Sequence, residues 1–186
     1  MAPGAGEQAR FDRERRPDLI VAALGLRPGS VVADIGAGTG LLTVHLARAV
    51  NPGGRVVATD VDGAVLDLLD NRVTAAGLGR VVERRVVAPD TPGLEPATYD
   101  AILLAEVDHY FTDRVAWLRA AIPALKPGGR IVIANRTYHR GPALAAAAAA
   151  GLHLDAESTE VPGQFIATFT VAAAAAGGSA APEEAP

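Results

Sequence analysis

Apolar residues along the chain follow two alternating spacings. Short β-branched runs at Val31 to Ile35, Arg55 to Thr59, Val82 to Val87, Ala101 to Leu104 and Arg130 to Asn135 read as five strands. Between them, at Pro17 to Leu24, Leu41 to Val50, Gly63 to Ala76 and Asp113 to Leu125, the segments carry a helical period. In the last of these Leu118, Ile122 and Leu125 share a face, and Pro123 predicts a kink because its nitrogen has no hydrogen to donate. Strands alternating with helices predict a parallel sheet covered on both faces.

Beyond the fifth strand the rhythm changes. Six alanines, Ala145 to Ala150, lie between Pro142 and Gly151, which are helix start and stop signals. His153 to Val161 and Gln164 to Val171 then read as two strands joined by a Pro-Gly turn, hence as antiparallel neighbours. "KPGGR", Lys126 to Arg130, reads as the turn that returns the chain to the fifth strand. Residues 1–10 read as a flexible end and residues 172–186 as a disordered Ala/Gly/Pro-rich tail, leaving 11–171 as the folded domain.

Composition narrows the picture further. A length of 186 residues suits one domain with a sizeable core. A net charge of −4 argues against the broad basic face that nucleic acid requires. With no cysteine, the chain can have no disulfide, thiolate metal site or cysteine nucleophile, and four scattered histidines give no metal-ligand spacing. The first residues contain no apolar leader segment, and no run approaches the roughly 18 apolar residues of a membrane span. The expectation is a cytoplasmic protein that binds neither membrane nor metal. Its oligomeric state stays open.

The candidate chemistry begins at "VVADIGAGTG", Val31 to Gly40. Gly36, Gly38 and Gly40 stand between a strand and a helix, where a backbone must turn sharply or approach a ligand closely. The dinucleotide fingerprint would place its third glycine at position 41, which is leucine. That glycine lets the helix pack close and its N-terminus hold a pyrophosphate, a demand that a nucleoside cofactor without phosphates does not make. S-adenosylmethionine is such a cofactor. Asp60 ends the second strand, where its carboxylate can accept hydrogen bonds from both ribose hydroxyls. Asp62 reads more simply as the N-cap of the next helix.

From Phe11 to Val171 the chain resembles the class I S-adenosylmethionine-dependent methyltransferases. The resemblance rests on "VVADIGAGTG" (31–40), "VVATDVD" (56–62), "YDAILLAEVDHYF" (99–111) and "LRAAIPALKPGGRIVIANR" (118–136). It implies a three-layer α/β/α Rossmann-like fold. Its seven-stranded, mostly parallel sheet would have the order 3-2-1-4-5-7-6, with strand 7 antiparallel. It also implies that Asp34 and the backbone of Gly36, Ala37 and Gly38 hold the methionine moiety and that Asp60 holds the ribose, with Gly40 and Val61 beside them. Ala88, Pro89 and Asp90 would flank the adenine. Many members carry an aspartate where Ala88 stands, so Asp90 reads equally as the displaced adenine acid or as a turn former. S-adenosylhomocysteine would be the product.

The methyl acceptor should be met by the loops after strands four and five. "AEVDHYF", Ala105 to Phe111, brings together Glu106, nearest the strand end and so a cofactor contact, with Asp108, His109 and Tyr110. Methyl transfer from a sulfonium demands chiefly alignment and desolvation. If the acceptor must lose a proton, His109 is the candidate base and Asp108 its orienting group or substitute, with Tyr110 beside them. The plainer reading is that these three only pack and cap the following helix. "NRTYHRG", Asn135 to Gly141, could bind an anionic or aromatic acceptor or be a solvated loop, and "FDRERRPD" could equally fold over the cofactor with Phe11 as its apolar contact or be a plain surface helix start. His45 and His153 carry no expected role.

A methyltransferase acting on a small molecule is therefore the leading reading. A binding module that holds the cofactor without chemistry is one rival. An NAD-dependent oxidoreductase is the other, disfavoured by Leu41 and by the missing Tyr-x-x-x-Lys pattern.

Overall fold

The structure, a computed structural model, describes residues 5–171. Its centre is a seven-stranded sheet: β1 (Val31–Ile35), β2 (Arg55–Asp60), β3 (Val82–Val86), β4 (Tyr99–Ala105), β5 (Leu125–Arg136), β6 (Leu152–Ser158) and β7 (Gln164–Val171). The order is β3-β2-β1-β4-β5-β7-β6, with β7 antiparallel to both neighbours. Fold class and order are as the family resemblance implied.

Both faces are covered, which is why the inner strands are apolar at successive positions. Ile102, Leu104, Ile131 and Ile133 pack beneath Trp117, Leu118 and Phe165 on one face. Val32, Val56, Ala58 and Leu103 pack on Leu24, Leu46, Leu66 and Leu69 on the other. The two outermost strands carry the polar residues: β3 has Glu83, Arg84 and Arg85, and β6 exposes most of its length. Charge on such edges discourages pairing with another chain.

Six helices connect and flank the strands: α1 (Ala5–Arg15), α2 (Pro17–Leu24), α3 (Thr43–Val50), α4 (Gly63–Ala75), α5 (Arg114–Ala121) and α6 (Arg140–Ala149). Asp62 caps α4 by accepting the Ala64 N–H at 2.8 Å, and Asp113 caps α5 by accepting that of Ala116 at 3.0 Å. Pro142 falls in the first turn of α6, where a missing N–H leaves no intrahelical bond unmade.

The departures from expectation lie at breakers and polar segments. Instead of kinking a helix that runs to Leu125, Pro123 lies in a short 3₁₀ turn, Ile122–Ala124, that follows the end of α5. "KPGGR" falls inside β5. Partners step there from Tyr99/Leu125 to Ala101/Arg130, so the extra residues bulge, with Gly128 at φ 78. Residues 5–10, expected as part of a flexible end, form the first turns of α1. They are docked by polar bonds: the Gln8 amide donates to the Leu41 carbonyl at 3.0 Å, and Arg72 donates to Glu7 at 2.6 Å. Such anchors leave no apolar period to read. The tail expected at 172–186 lies outside the described residues. Among the described residues no helix is long and apolar enough to cross a membrane.

Candidate functional site

The parallel strands β1, β2, β4 and β5 end on one edge of the sheet, and the loops beyond them enclose the site. At Gly36, φ is 64, and a Cβ there would stand 2.5 Å from Val107 Cγ2. At Gly40, φ is 81, and a Cβ would stand 2.7 Å from Leu69 Cγ. One glycine thus lets the loop after β4 close over the glycine turn, and the other lets that turn lie on α4.

Two cavities meet at Gly36 and Glu106, which line both. The larger, about 480 Å³, is walled by Asp60, Val61, Ala88, Pro89, Asp90 and Tyr110, with Phe111 stacked on Trp117 at 4.4 Å as an apolar side. The smaller, about 180 Å³, lies against Asp34, Ala37, Gly38 and Thr39 and is covered by Phe11 and Arg15 of α1. Gly40, Asp108 and His109 line neither cavity. Arg15 was absent from the expectations, and nothing in its local sequence separates it from the other arginines of "FDRERRPD".

The two acids at the strand ends differ in setting. Asp34 is 2% exposed, and the Thr43 hydroxyl donates to its Oδ2 at 2.7 Å. Burial pushes its carboxyl up to about 6; the Thr43 bond opposes that rise and the charge of Asp60 adds to it. Asp60 accepts the Gly38 N–H at 3.0 Å on one oxygen and the Asp62 N–H at 3.1 Å on the other, which leaves lone pairs on each for a ligand.

Asp90 is a turn former, one of its two expected readings. It sits at φ 59 in a turn closed by the Thr91 N–H on the Ala88 carbonyl, and it also lines the larger cavity. Its carboxylate accepts the Thr112 N–H at 2.8 Å, which holds it below the usual range and ties this loop to the one after β4.

Glu106, at φ 53, accepts Arg15 Nη1 and, at 2.8 Å, Arg136 Nε. Burial pushes its carboxyl up, but the two guanidiniums outweigh it and hold the pKa below the ordinary value.

Asp108, His109 and Tyr110 occupy different settings, from buried Asp108 to exposed Tyr110. Asp108 is buried, and its Oδ1 accepts Asn135 Nδ2 at 2.6 Å. Arg114 Nε donates to its carbonyl at 3.0 Å and stands 3.1 Å from Oδ2, although Oδ2 itself accepts no hydrogen bond. Asn135 Oδ1 accepts the Arg136 N–H at 2.7 Å, and the second contact of Nδ2 is His109 Nδ1 at 3.0 Å. Turning the amide over would set its oxygen against the Asp108 carboxylate and its NH₂ against an N–H, so only one orientation is satisfied. Nδ1 of His109 is then an acceptor and Nε2 carries the proton. In this arrangement His109 is a donor rather than the base expected from sequence, and Asp108 reaches it only through Asn135. Burial and the neighbouring His139 lower the pKa of His109, which favours the same neutral ring.

The loops after β4 and β5 also meet through rings. Tyr110 lies 4.1 Å from His109, which stacks on His139 at 4.2 Å, and Tyr138 follows at 4.3 Å. The two outer rings are 77% and 76% exposed. His45 is engaged elsewhere, with Asp12 at 2.8 Å.

Comparison with known proteins agrees with this geometry. Residues 33–131, just over half the chain, match the family model described as a methyltransferase domain. Similar curated proteins include the ubiquinone/menaquinone biosynthesis C-methyltransferase of Idiomarina loihiensis, 36% identical over 110 residues, 59% of this chain and 43% of that one. The protein of that name from Saccharophagus degradans is 34% identical over 114 residues, 61% of this chain and 45% of that one. The chain thus spans less than half the length of these relatives. Among solved structures, a SAM-dependent methyltransferase from Aquifex aeolicus superposes with a TM-score of 0.79 at 20% identity, over 86% of this chain and 91% of that one. The geranyl diphosphate C-methyltransferase of Streptomyces coelicolor gives 0.69 at 16%, over 84% and 78%. At these identities the structural likeness carries the fold alone.

Proposed function

The chain belongs to the methyltransferase domain family, and on that footing we propose that it transfers a methyl group from S-adenosylmethionine to a small-molecule acceptor and releases S-adenosylhomocysteine. The observation that carries the reading is the paired cavity with one acid on each side. The smaller space holds Asp34, a buried carboxylate whose only hydrogen-bond donor among the described residues is a hydroxyl, which suits an amino acid's ammonium group. The larger space holds Asp60 with lone pairs free at a strand end, which suits a ribose diol beside an apolar wall for a purine. The residues present therefore fit the cofactor.

When bound, the cofactor supplies an electrophilic methyl group on a sulfonium. Asp34 and the backbone of Gly36 to Gly38 hold its methionine end. Asp60 orients the ribose, while Val61, Ala88, Pro89 and Asp90 border the adenine. Glu106, fixed by two arginines, closes the junction, and Phe11 and Arg15 exclude water from the smaller cavity. Such a site works by alignment and desolvation. His109 offers an Nε2 proton rather than a vacant Nδ1, so it serves as donor and stacking surface. Asp108 and Asn135 are positioning residues behind it. The two curated relatives carry the name of C-methyltransferases of ubiquinone/menaquinone biosynthesis, which supports a small-molecule acceptor here.

A thermal-shift comparison tests the reading. At about 100 times its dissociation constant, S-adenosylhomocysteine should add roughly 2.7 kcal/mol of stability, and NAD should add none. Stabilisation by NAD alone would overturn the proposal.

A further inference from the structure

A third recess, about 520 Å³, opens at the same sheet edge between the end of α1 and the β6–β7 turn. Arg13, Arg15, Arg16 and Arg136 line it, against Glu14 and Glu160. The arginines are unevenly committed. Arg16 is held by Asp18 through two bonds of 2.9 and 2.7 Å. Arg136 gives Nε to Glu106. Arg15 gives Nη1 to the same carboxylate, while its Nε is buried without a partner and its side chain is only 11% exposed. Arg13 forms no ion pair among the described residues, and neither recess glutamate pairs with any of the four arginines.

Four guanidiniums around one opening repel each other, and least screening reaches the buried one. A planar fork of N–H donors is matched by the oxygens of a carboxylate or a phosphate. The recess also has a defined neighbour. Arg15 and Arg136 reach from it to Glu106, which borders both cofactor cavities. A group anchored here leaves the rest of its molecule beside the methyl-transfer site.

We propose that this arginine recess anchors an anionic group of the methyl acceptor, which is therefore a small molecule bearing a carboxylate or a phosphate. The inference rests on the methyltransferase reading and extends it to the acceptor. Selectivity comes from "RERR" at the end of α1 together with Arg136 at the end of β5, two segments that the cofactor site uses only through Arg15 and Arg136.

The test is calorimetric. The full chain is first titrated with S-adenosylhomocysteine and then, saturated with it, with inorganic pyrophosphate or with succinate. At least one anion should bind saturably to one site. Arg13→Gln with Arg16→Gln should weaken that binding tenfold or more, while the affinity for S-adenosylhomocysteine stays within twofold and the far-UV spectrum is unchanged. Preference for pyrophosphate assigns a phosphate, and preference for succinate a carboxylate. Normal S-adenosylhomocysteine binding with no saturable anion binding, or with equal anion binding by the double variant, would overturn the recess assignment alone. Failure to bind S-adenosylhomocysteine at all would count instead against the methyltransferase reading.

Discussion

Asp34 and Asp60 end neighbouring parallel strands, yet the fold treats them oppositely. Asp60 keeps two backbone donors and an open side, whereas Asp34 is buried with one hydroxyl. A carboxyl raised from 3.8 to about 6 binds its proton more tightly in the folded state than in the unfolded one. Its contribution to stability is therefore fully present below pH 3.8 and is lost as pH rises through 6. Ionised at pH 8, Asp34 costs the cofactor-free protein as much as about 3 kcal/mol. Asp34→Asn should raise cofactor-free stability in urea at pH 8 and gain little at pH 4, while weakening S-adenosylhomocysteine. Equal effects at both pH values would show that the carboxyl is not perturbed. The Asp62 cap and the place of Asp60 at a strand end were legible because both follow from position along the chain. Asn135 was not, because its importance lies in contacts with Asp108 and His109 on a neighbouring loop.

At the scale of elements, the glycine turn and the loop after β4 form one packed unit. Gly36→Ala would force a φ of 64 on a side-chain-bearing residue and drive its Cβ to 2.5 Å from Val107. The expected loss is about 2–4 kcal/mol in chemical unfolding, with cofactor binding impaired as well. A variant of unchanged stability would mean that the loop after β4 yields freely. β1 and β7 were readable to the residue, since their apolar runs are sharply bounded. The bulge in β5 was not, because "KPGGR" has turn chemistry and only pairing with β4 absorbs it into a strand. Helix α1 was hidden for a different reason. Its anchors are Gln8, Arg72 and Arg15, polar contacts across long sequence separations that periodicity does not report.

On the scale of the whole molecule, the sheet order brings the carboxyl ends of β1, β2 and β4 side by side and sets β5 next to them. Residues separated by more than a hundred positions thereby surround one cleft, with Arg15 and Arg136 meeting at Glu106. This convergence was legible as soon as strand order was, and the division into two joined cavities and an arginine recess emerged only from packing. On the proposed function the cleft holds an adenosine cofactor through Asp60. Titration calorimetry of the wild type and Asp60→Ala with S-adenosylhomocysteine tests it most directly. One site per chain is predicted in the wild type, with the variant losing about 1.5–3 kcal/mol, or roughly 10- to 150-fold in affinity. A wild type that gives no binding heat, or a variant that binds as tightly as the wild type, would contradict the account.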